Sequence, residues 1–297
     1  MAAAGQTAAL AYNLGAVQPH LTLSPPVYSP MTTRKPTPLP VTADFRGRIS
    51  PDLARILIGH GALDAQPSGL RLVLEPTPAG RLSDAELNDL RGHARRRLPW
   101  RPPLSLEVEA VASHPADGLV GTAGFGFWND PFDPAQGTAA APNALWFFHA
   151  SPPAQMPFVP GGAPNGWKAA SLNGGAVPEP LVALGTRLLR VPGVNRVLYA
   201  LARRAAVRAA ETVLTSRLDE VHTYRIEWGR RSADFLVDEA HVLRAPQPPQ
   251  VPLGFVAWVD NNCASETGAS DLTWRRLAVS QRQWLEIRRV TITPLGV

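Results

Sequence analysis

The segment His222-Thr223-Tyr224-Arg225-Ile226-Glu227-Trp228 sets Tyr224, Ile226 and Trp228 on one side of the chain and Thr223, Arg225 and Glu227 on the other. That alternation has the two-residue period of a strand with one face in a core and one in water. Ala233 to Asp238 repeats it, and Leu253 to Val259 and Trp284 to Thr293 follow. Upstream, Ser68-Gly69-Leu70-Arg71-Leu72-Val73-Leu74 reads as a strand entered from a Ser-Gly turn. Leu104 to Val111, Gly121 to Trp128 and Ala144 to Ala150 read as three more, divided by Pro, Gly, Asn and Asp clusters. Short strands punctuated in this way predict an antiparallel sandwich or jelly roll.

Three stretches interrupt the β pattern. In Arg81 to Pro103, Ser83-x-x-Glu86 has the form of a capping box ahead of Leu87, Leu90 and Ala94, which predicts a short inserted helix over about 81–100. The stretch ends in Arg95-Arg96-Arg97, Trp100 and Arg101, which suits either a basic binding patch or a solvated helix C-terminus that attracts cations. The second reading is favoured. Ser151 to Val177, with Trp167-Lys168 inside it, reads as a long loop of the kind that often carries function. In Glu179 to Thr215, Leu181, Leu184 and Leu188 recur at helical spacing, Pro192-Gly193 breaks the run, and Val194, Val197, Leu198, Leu201 and Ala205 line one face of a second helix. An α-helical hairpin over 179–215 is expected. Its polar side, with Arg187, Arg190, Arg196, Arg203, Arg204 and Arg208, suits an anionic membrane surface or a protein partner, although a flap packed on its own sandwich is the favoured reading.

Residues 1–40 hold seven prolines between Pro19 and Pro40 and no apolar period, so a disordered or extended lead is expected, with Met1 and Met31 both candidate starts. Residues 41–297 are then one β-sandwich domain with the two helical insertions. The 24 Gly and 31 Pro make up about 18.5% of 297 residues, and charged residues only 18%. Averages are near 12% and 25%, so helical bundles and coiled coils are disfavoured. The net charge of +5 is carried by 27 Arg and two Lys, too modest an excess for a nucleic-acid partner to be expected. A single cysteine, Cys263, excludes an intrachain disulfide and a cysteine-rich zinc site. No run of about 18 apolar residues is present to span a bilayer, and Met1 to His20 does not read as a secretory signal, so a cytoplasmic location is the expectation.

The strand text also has a familiar form. His222 to Trp228, then Asp234-Phe235-Leu236-Val237-Asp238, then Pro252-Leu253-Gly254-Phe255-Val256-Ala257-Trp258-Val259-Asp260, resembles the C-terminal half of the concanavalin A-like glucanases, glycoside hydrolase family 16. Asp44-Phe45, Ile49-Ser50-Pro51-Asp52 and Gly69-Leu70-Arg71-Leu72 are similar to that family's opening strands. The resemblance implies a concanavalin A-like jelly roll with a concave ligand groove. In the family, activity resides on a strand carrying Glu-x-Asp-x-x-Glu, which supplies the two carboxyl groups of retaining glycoside hydrolysis. The corresponding strand here is Asn143-Ala144-Leu145-Trp146-Phe147-Phe148-His149-Ala150. Aligned on it, Ala144, Trp146 and His149 stand where the three acids would be, and the motif occurs nowhere else in the chain. The family's double displacement is therefore expected to be absent.

A groove in which Trp146 and His149 replace acids is more aromatic, and suits stacking on a sugar ring or another flat, partly apolar ligand. Trp128-Asn129-Asp130, Trp167, Trp258 and Asp260-Asn261-Asn262 are the further candidate ligand-binding residues. Each has a structural reading as well: a Trp as core, His149 as a hydrogen-bonded scaffold residue, Asp130 and Asp260 beside Asn as turn formers. Metal-ligand spacings such as His-Glu-x-x-His, a dinucleotide or phosphate loop and a Gly-x-Ser-x-Gly elbow are all missing, so neither metal nor cofactor is expected. The leading expectation is a non-catalytic protein binding a carbohydrate or similar small ligand. The alternatives are an enzyme whose site is rebuilt on His149 with Asp130 or Asp260, and a membrane or protein contact through 179–215.

Overall fold

The computed structural model describes residues 41–45, 53–131, 140–175, 208–267 and 271–295. The expected lead, 1–40, lies outside them. The strands are β1 (Val41–Asp44), β2 (Ala54–Ile58), β3 (Gly61–Gln66), β4 (Gly69–Leu74), β5 (Asp84–Asn88), β6 (Leu104–Ala112), β7 (Thr122–Trp128), β8 (Asn143–Ala150) and β9 (Gly166–Asn173). They continue with β10 (Arg208–Val213), β11 (His222–Trp228), β12 (Ser232–Val237), β13 (Ala240–Pro246), β14 (Gly254–Asp260), β15 (Asn262–Thr267), β16 (Asp271–Arg276) and β17 (Gln283–Pro294). One sheet runs β13-β12-β11-β6-β17-β4-β3, with β1 on β17; the second runs β10-β9-β8-β7-β14-β5-β2; β15 and β16 form a separate hairpin. All the pairings are antiparallel.

The two large sheets pack face to face because each strand alternates. In β11, Tyr224, Ile226 and Trp228 are at most 1% exposed and meet Phe125, Phe127 and Phe147 of the other sheet. Phe125 and Tyr224 lie 5.1 Å apart edge to face, and Phe147 stands edge-on to Phe235 at 5.6 Å. Aromatic pairs at these separations add to the burial that drives sheet packing. The opposite face of the first sheet carries a ladder of ion pairs, Arg225 with Glu107 and Glu239, and Arg71 and Arg288 with Glu286. That polar side satisfies the strand alternation seen in His222 to Trp228.

Among the described residues no α-helix forms, and no helix is long and apolar enough to cross a membrane. The helix expected over 81–100 is instead β5 followed by a 3-10 turn at Arg95–Arg97. β5 pairs on both edges, with β14 and β2, and its Ala85 and Leu87 are fully buried between the sheets. Ser83, read as a helix cap, accepts from His60 N through Oγ and donates its own N–H to Asn261 Oδ1. Two-sided pairing overrides a local capping signal worth about 1 kcal/mol. Arg95 is buried, its Nε donating to Asp130 O at 3.0 Å.

The long loop expected over 151–177 contains β9. Its period is hidden because both faces are buried: Trp167 and Ala169 join the inter-sheet core, while Lys168, Ala170 and Leu172 are covered from the other side. The helical hairpin expected over 179–215 falls mostly on 176–207, outside the described residues. Its described end is corrected to the edge strand β10, hydrogen-bonded along β9 in place of a helix.

Candidate functional site

The face of the second sheet turned away from the core is where the alternate residues of β5, β14, β7 and β8 meet. β14 contributes Val256, Trp258 and Asp260, β8 contributes Ala144, Trp146 and Phe148, and β5 contributes Asp84, Glu86 and Asn88. β7 brings Thr122, Gly124, Gly126 and Trp128 between them. A Cβ at Gly124 would lie 2.8 Å from the Trp258 ring, so the missing side chain is what lets that indole lie against the sheet. These strands floor a cavity of about 190 Å3, lined also by Leu90, Asp130, Met156, Phe158 and Asn262.

Trp146 is the centre of the aromatic wall. Its ring centroid is 4.7 Å from Trp128, 5.6 Å from Phe148, 5.7 Å from Trp258 and 6.1 Å from Phe158. Trp258 is fixed by a relay: its Nε1 donates to Thr122 Oγ1 at 3.0 Å, and that hydroxyl donates to Asp260 Oδ1 at 2.9 Å. Asp260 also accepts from Asn262 N at 2.8 Å and from Asn262 Nδ2 at 3.0 Å. The relay therefore fixes the plane of the Trp258 indole.

The polar side of the cavity is acidic. Glu86 stands in register with Trp258, and Asp84 with Asp260, on neighbouring strands. Burial pushes the Glu86 carboxyl up to about 8; the hydrogen bond from Asn88 opposes this, and the charges of Asp130 and Asp260 add to it. Burial also raises Asp260, against its hydrogen bonds from Asn262 and Thr122, and raises Asp84 well above the usual range with Glu86 and Asp260 contributing. Like charges in a low-dielectric site cannot all ionise together. Near neutral pH the pocket thus offers Glu86 as an O–H donor. Asp130 reaches the rim through a left-handed turn residue, φ 36°, a conformation Asp tolerates. Among the described residues no group of three or more His, Cys, Asp and Glu side chains is arranged to hold a metal ion.

A second layer covers part of this face. The segment Ser151 to Asn165 crosses it, held by Met156 N to Pro164 O at 2.7 Å and by Gln155 N to Ala264 O at 2.7 Å, which ties it to the β15–β16 hairpin. Met156, Phe158, Cys263 and Ala264 pack with Trp146, Phe148, Ala170 and Trp258 into a small apolar cluster apart from the main core.

Of the candidates read from the sequence, Trp128, Trp146, Trp258, Asp130, Asp260 and Asn262 come together around the cavity. Four other positions do not. Trp167 lies between the sheets, 5.9 Å from Phe125 and 5.5 Å from Tyr224. Asn129 bonds Ala141 O and Asn143 N, and Asn261 bonds Arg81 O, Leu277 O and Ser83 N, so both hold strand ends. His149 is displaced by strand parity: β8 pairs with β7 and β9 without a bulge, so Ala144, Trp146 and Phe148 share the pocket face and His149 points the other way. It is fully buried, with Nε2 donating to Leu119 O at 3.0 Å, and burial lowers its pKa to about 4. Glu86, Leu90, Thr122, Phe148, Met156, Phe158 and Val256 are the pocket residues the sequence reading missed. The alternation in Asp84-Ala85-Glu86-Leu87-Asn88 carried the signal for Glu86, and counting β8 in twos carried it for Phe148.

No protein-family model matches the chain, and no curated protein does. Solved structures do share its architecture. A glycoside hydrolase family 16 endo-glucanase from Bacteroides ovatus is 13% identical, with a TM-score of 0.50 over 85% of this chain and 99% of that one. A Bacillus licheniformis β-glucanase is 12% identical at a TM-score of 0.48, over 87% of this chain and 100% of that one. Laminarinase from Flavobacterium sp. UMI-01 is 10% identical at 0.48, over 85% and 98%. At this identity the likeness to the Bacteroides ovatus enzyme is one of fold: the chain is an all-β, antiparallel jelly-roll sandwich of the glucanase type.

Proposed function

We propose that this chain binds a carbohydrate, or a similarly flat and partly apolar small ligand, in the pocket between β8, β7, β14 and β5. The observation that carries the reading is that Trp128, Trp146 and Trp258 line one cavity together with Glu86, Asp130 and Asp260. A sugar ring has apolar C–H faces that stack on indoles and a hydroxyl edge that pairs with carboxyl groups. The β8 face of the pocket presents Ala144, Trp146 and Phe148, which supports binding in place of the family's cleavage from that strand. The name of the Bacteroides ovatus structure, an endo-glucanase, agrees with a saccharide ligand.

Thermal denaturation with soluble glucan and galactan oligosaccharides tests this, since ligand at 100 times its Kd adds about 2.7 kcal/mol. A shift with at least one sugar, lost in Trp128→Ala, is expected. No shift with any of them overturns the reading.

One observation favours a second reading, a rebuilt enzyme. Glu86, neutral up to a pH of about 8 beside Asp130 and Asp260, is a general acid ready at neutral pH. In this reading a bound oligosaccharide releases new reducing ends and Glu86→Gln abolishes the release; a bound sugar recovered intact rejects it.

A further inference from the structure

Among the described residues, the pocket face is covered on its β9 side. On β9, Lys168 is fully buried beneath the Ser151 to Asn165 segment, and its Nζ donates to Met156 O at 2.8 Å, Ala163 O at 3.1 Å and Glu211 Oε2 of β10 at 2.9 Å. The other Glu211 oxygen accepts from Phe158 N at 3.1 Å and Val159 N at 3.3 Å. Lys168 Nζ also sits 4.6 Å from the centroid of the Phe158 ring. One buried ion pair thus grips the covering segment at three separated points. Buried charges persist only where hydrogen bonds replace water, and here most of those bonds go to that segment's backbone.

The consequence concerns ligand shape. A saccharide chain lying across the sheet would have to pass over β9 and β10, where Ala170 and Leu172 are already sealed to within 1% exposure. Phe158 closes the cavity at that end, while Glu86 on β5 stays only half-buried at the other. The cavity, about 190 Å3, is also below the roughly 300 Å3 at which pockets for drug-sized ligands begin.

We infer that the Lys168–Glu211 clip makes the pocket blind, so that it takes a single terminal ring, a free monosaccharide or the end of a saccharide chain, and excludes internal segments. This rests on the saccharide reading above.

Calorimetric titration of the full chain with glucose, galactose and their β-linked oligomers up to the hexasaccharide tests it, alongside Phe158→Ala and the milder Met156→Ala. Recognition of one terminal ring predicts affinities that differ by less than about threefold from disaccharide to hexasaccharide, since added rings make no contact. Opening the end wall predicts that longer chains gain about tenfold over the disaccharide in at least one folded variant. A parallel set with reduced chain ends separates the two sources, because a pocket for the reducing terminus loses reduced oligomers and one for the opposite terminus keeps them. Affinity that climbs with length in the unmodified chain overturns the inference alone, as does an unchanged length profile in folded variants. Absence of all saccharide binding overturns the saccharide reading and the inference with it.

Discussion

Glu86 stands opposite Trp258 across the β5–β14 ladder, in register and on the pocket face, so a carboxyl group and an indole plate share one wall of the cavity. Directly opposed residues have Cβ atoms about 5 Å apart, close to the width of a single ring. A ring that stacks on Trp258 therefore presents its edge to Glu86. The pair also makes the protonation state of Glu86 part of both folding and recognition.

The first prediction concerns pH. The folded state holds the Glu86 proton up to about pH 8, whereas an unfolded glutamate releases it near 4.5. Between those values the folded state binds more protons, so stability is fully present below about 4.5 and falls as pH rises towards 8. Asp89, pushed up to about 7 by burial against its bonds from Trp100 Nε1 and Phe255 N, acts in the same sense. Glu86→Gln removes part of that fall. Its Tm at pH 8 should exceed that of the unmodified chain by several degrees, on a scale of about 2–4 °C per kcal/mol, with little difference near pH 4.5. Equal Tm values at pH 8 would show that Glu86 does not sit neutral in the fold.

The aromatic wall divides into a residue that holds the pocket and one that touches its contents. Trp146 is 7% exposed and in ring contact with four other aromatics, so Trp146→Ala should cost about 3–5 kcal/mol of stability as well as affinity. Trp128 is more exposed and makes a ring contact with Trp146, so Trp128→Ala should lose affinity at a smaller stability cost. Denaturant melts and titrations on both variants check the split. Equal stability losses would place Trp128 in the scaffold as well.

Strands with one wet face were legible in the sequence, as were β7, β8 and β14, which are buried on both faces but set off by turn residues; β5 and β9, inside stretches that read as helix and loop, were not. His222 to Trp228 and Ala144 to Ala150 were located to within a residue, the first because Arg225 and Glu227 mark its polar side. β9 offered no such contrast, since Lys168 looks like a surface residue in one dimension and is buried by a segment that only the fold brings over it. In β5, Ser83 and Glu86 imitated a helix start while the sheet on both sides demanded a strand. The candidate site was half legible for the same reason: aromatic residues announce themselves by type, whereas Glu86 and Phe158 join the pocket only through pairing and loop closure.

His149 shows what a one-residue parity difference does to a functional reading. It lies between the sheets, bonded to Leu119 O, away from the cavity. Its imidazole, lowered to about 4, should show no NMR titration between about pH 5 and 8. Because the unfolded form takes up a proton near 6.5 and the folded form does not, this group's stabilising contribution is lost as pH falls from 6.5 towards 4. His149→Phe leaves Leu119 O unpaired at a cost of about 1–3 kcal/mol, yet should leave saccharide affinity within about twofold. A large affinity loss in a folded variant would return His149 to the site.

The Lys168–Glu211 pair gives the last prediction. Both side chains are at most 3% exposed, and burial lowers the Lys168 pKa while the Glu211 charge and hydrogen bond hold it up. Lys168→Met leaves Glu211 buried without its cation, which should cost about 3–5 kcal/mol. Glu211→Leu strands both the ammonium and the Phe158 and Val159 amides. The double substitution removes the uncompensated charges and leaves only backbone groups unpaired, the Phe158 and Val159 amides and the Met156 and Ala163 carbonyls, so it should be less destabilised than the sum of the singles by about 0.5–3 kcal/mol. In every one of these variants the Ser151 to Asn165 segment loses its grip, and limited proteolysis should cut there faster than in the unmodified chain. Additive losses with an equally protected segment would mean that the ion pair sits under the loop without holding it, and that the end wall of the pocket is kept in place by Phe158 packing on Trp146 and Phe148.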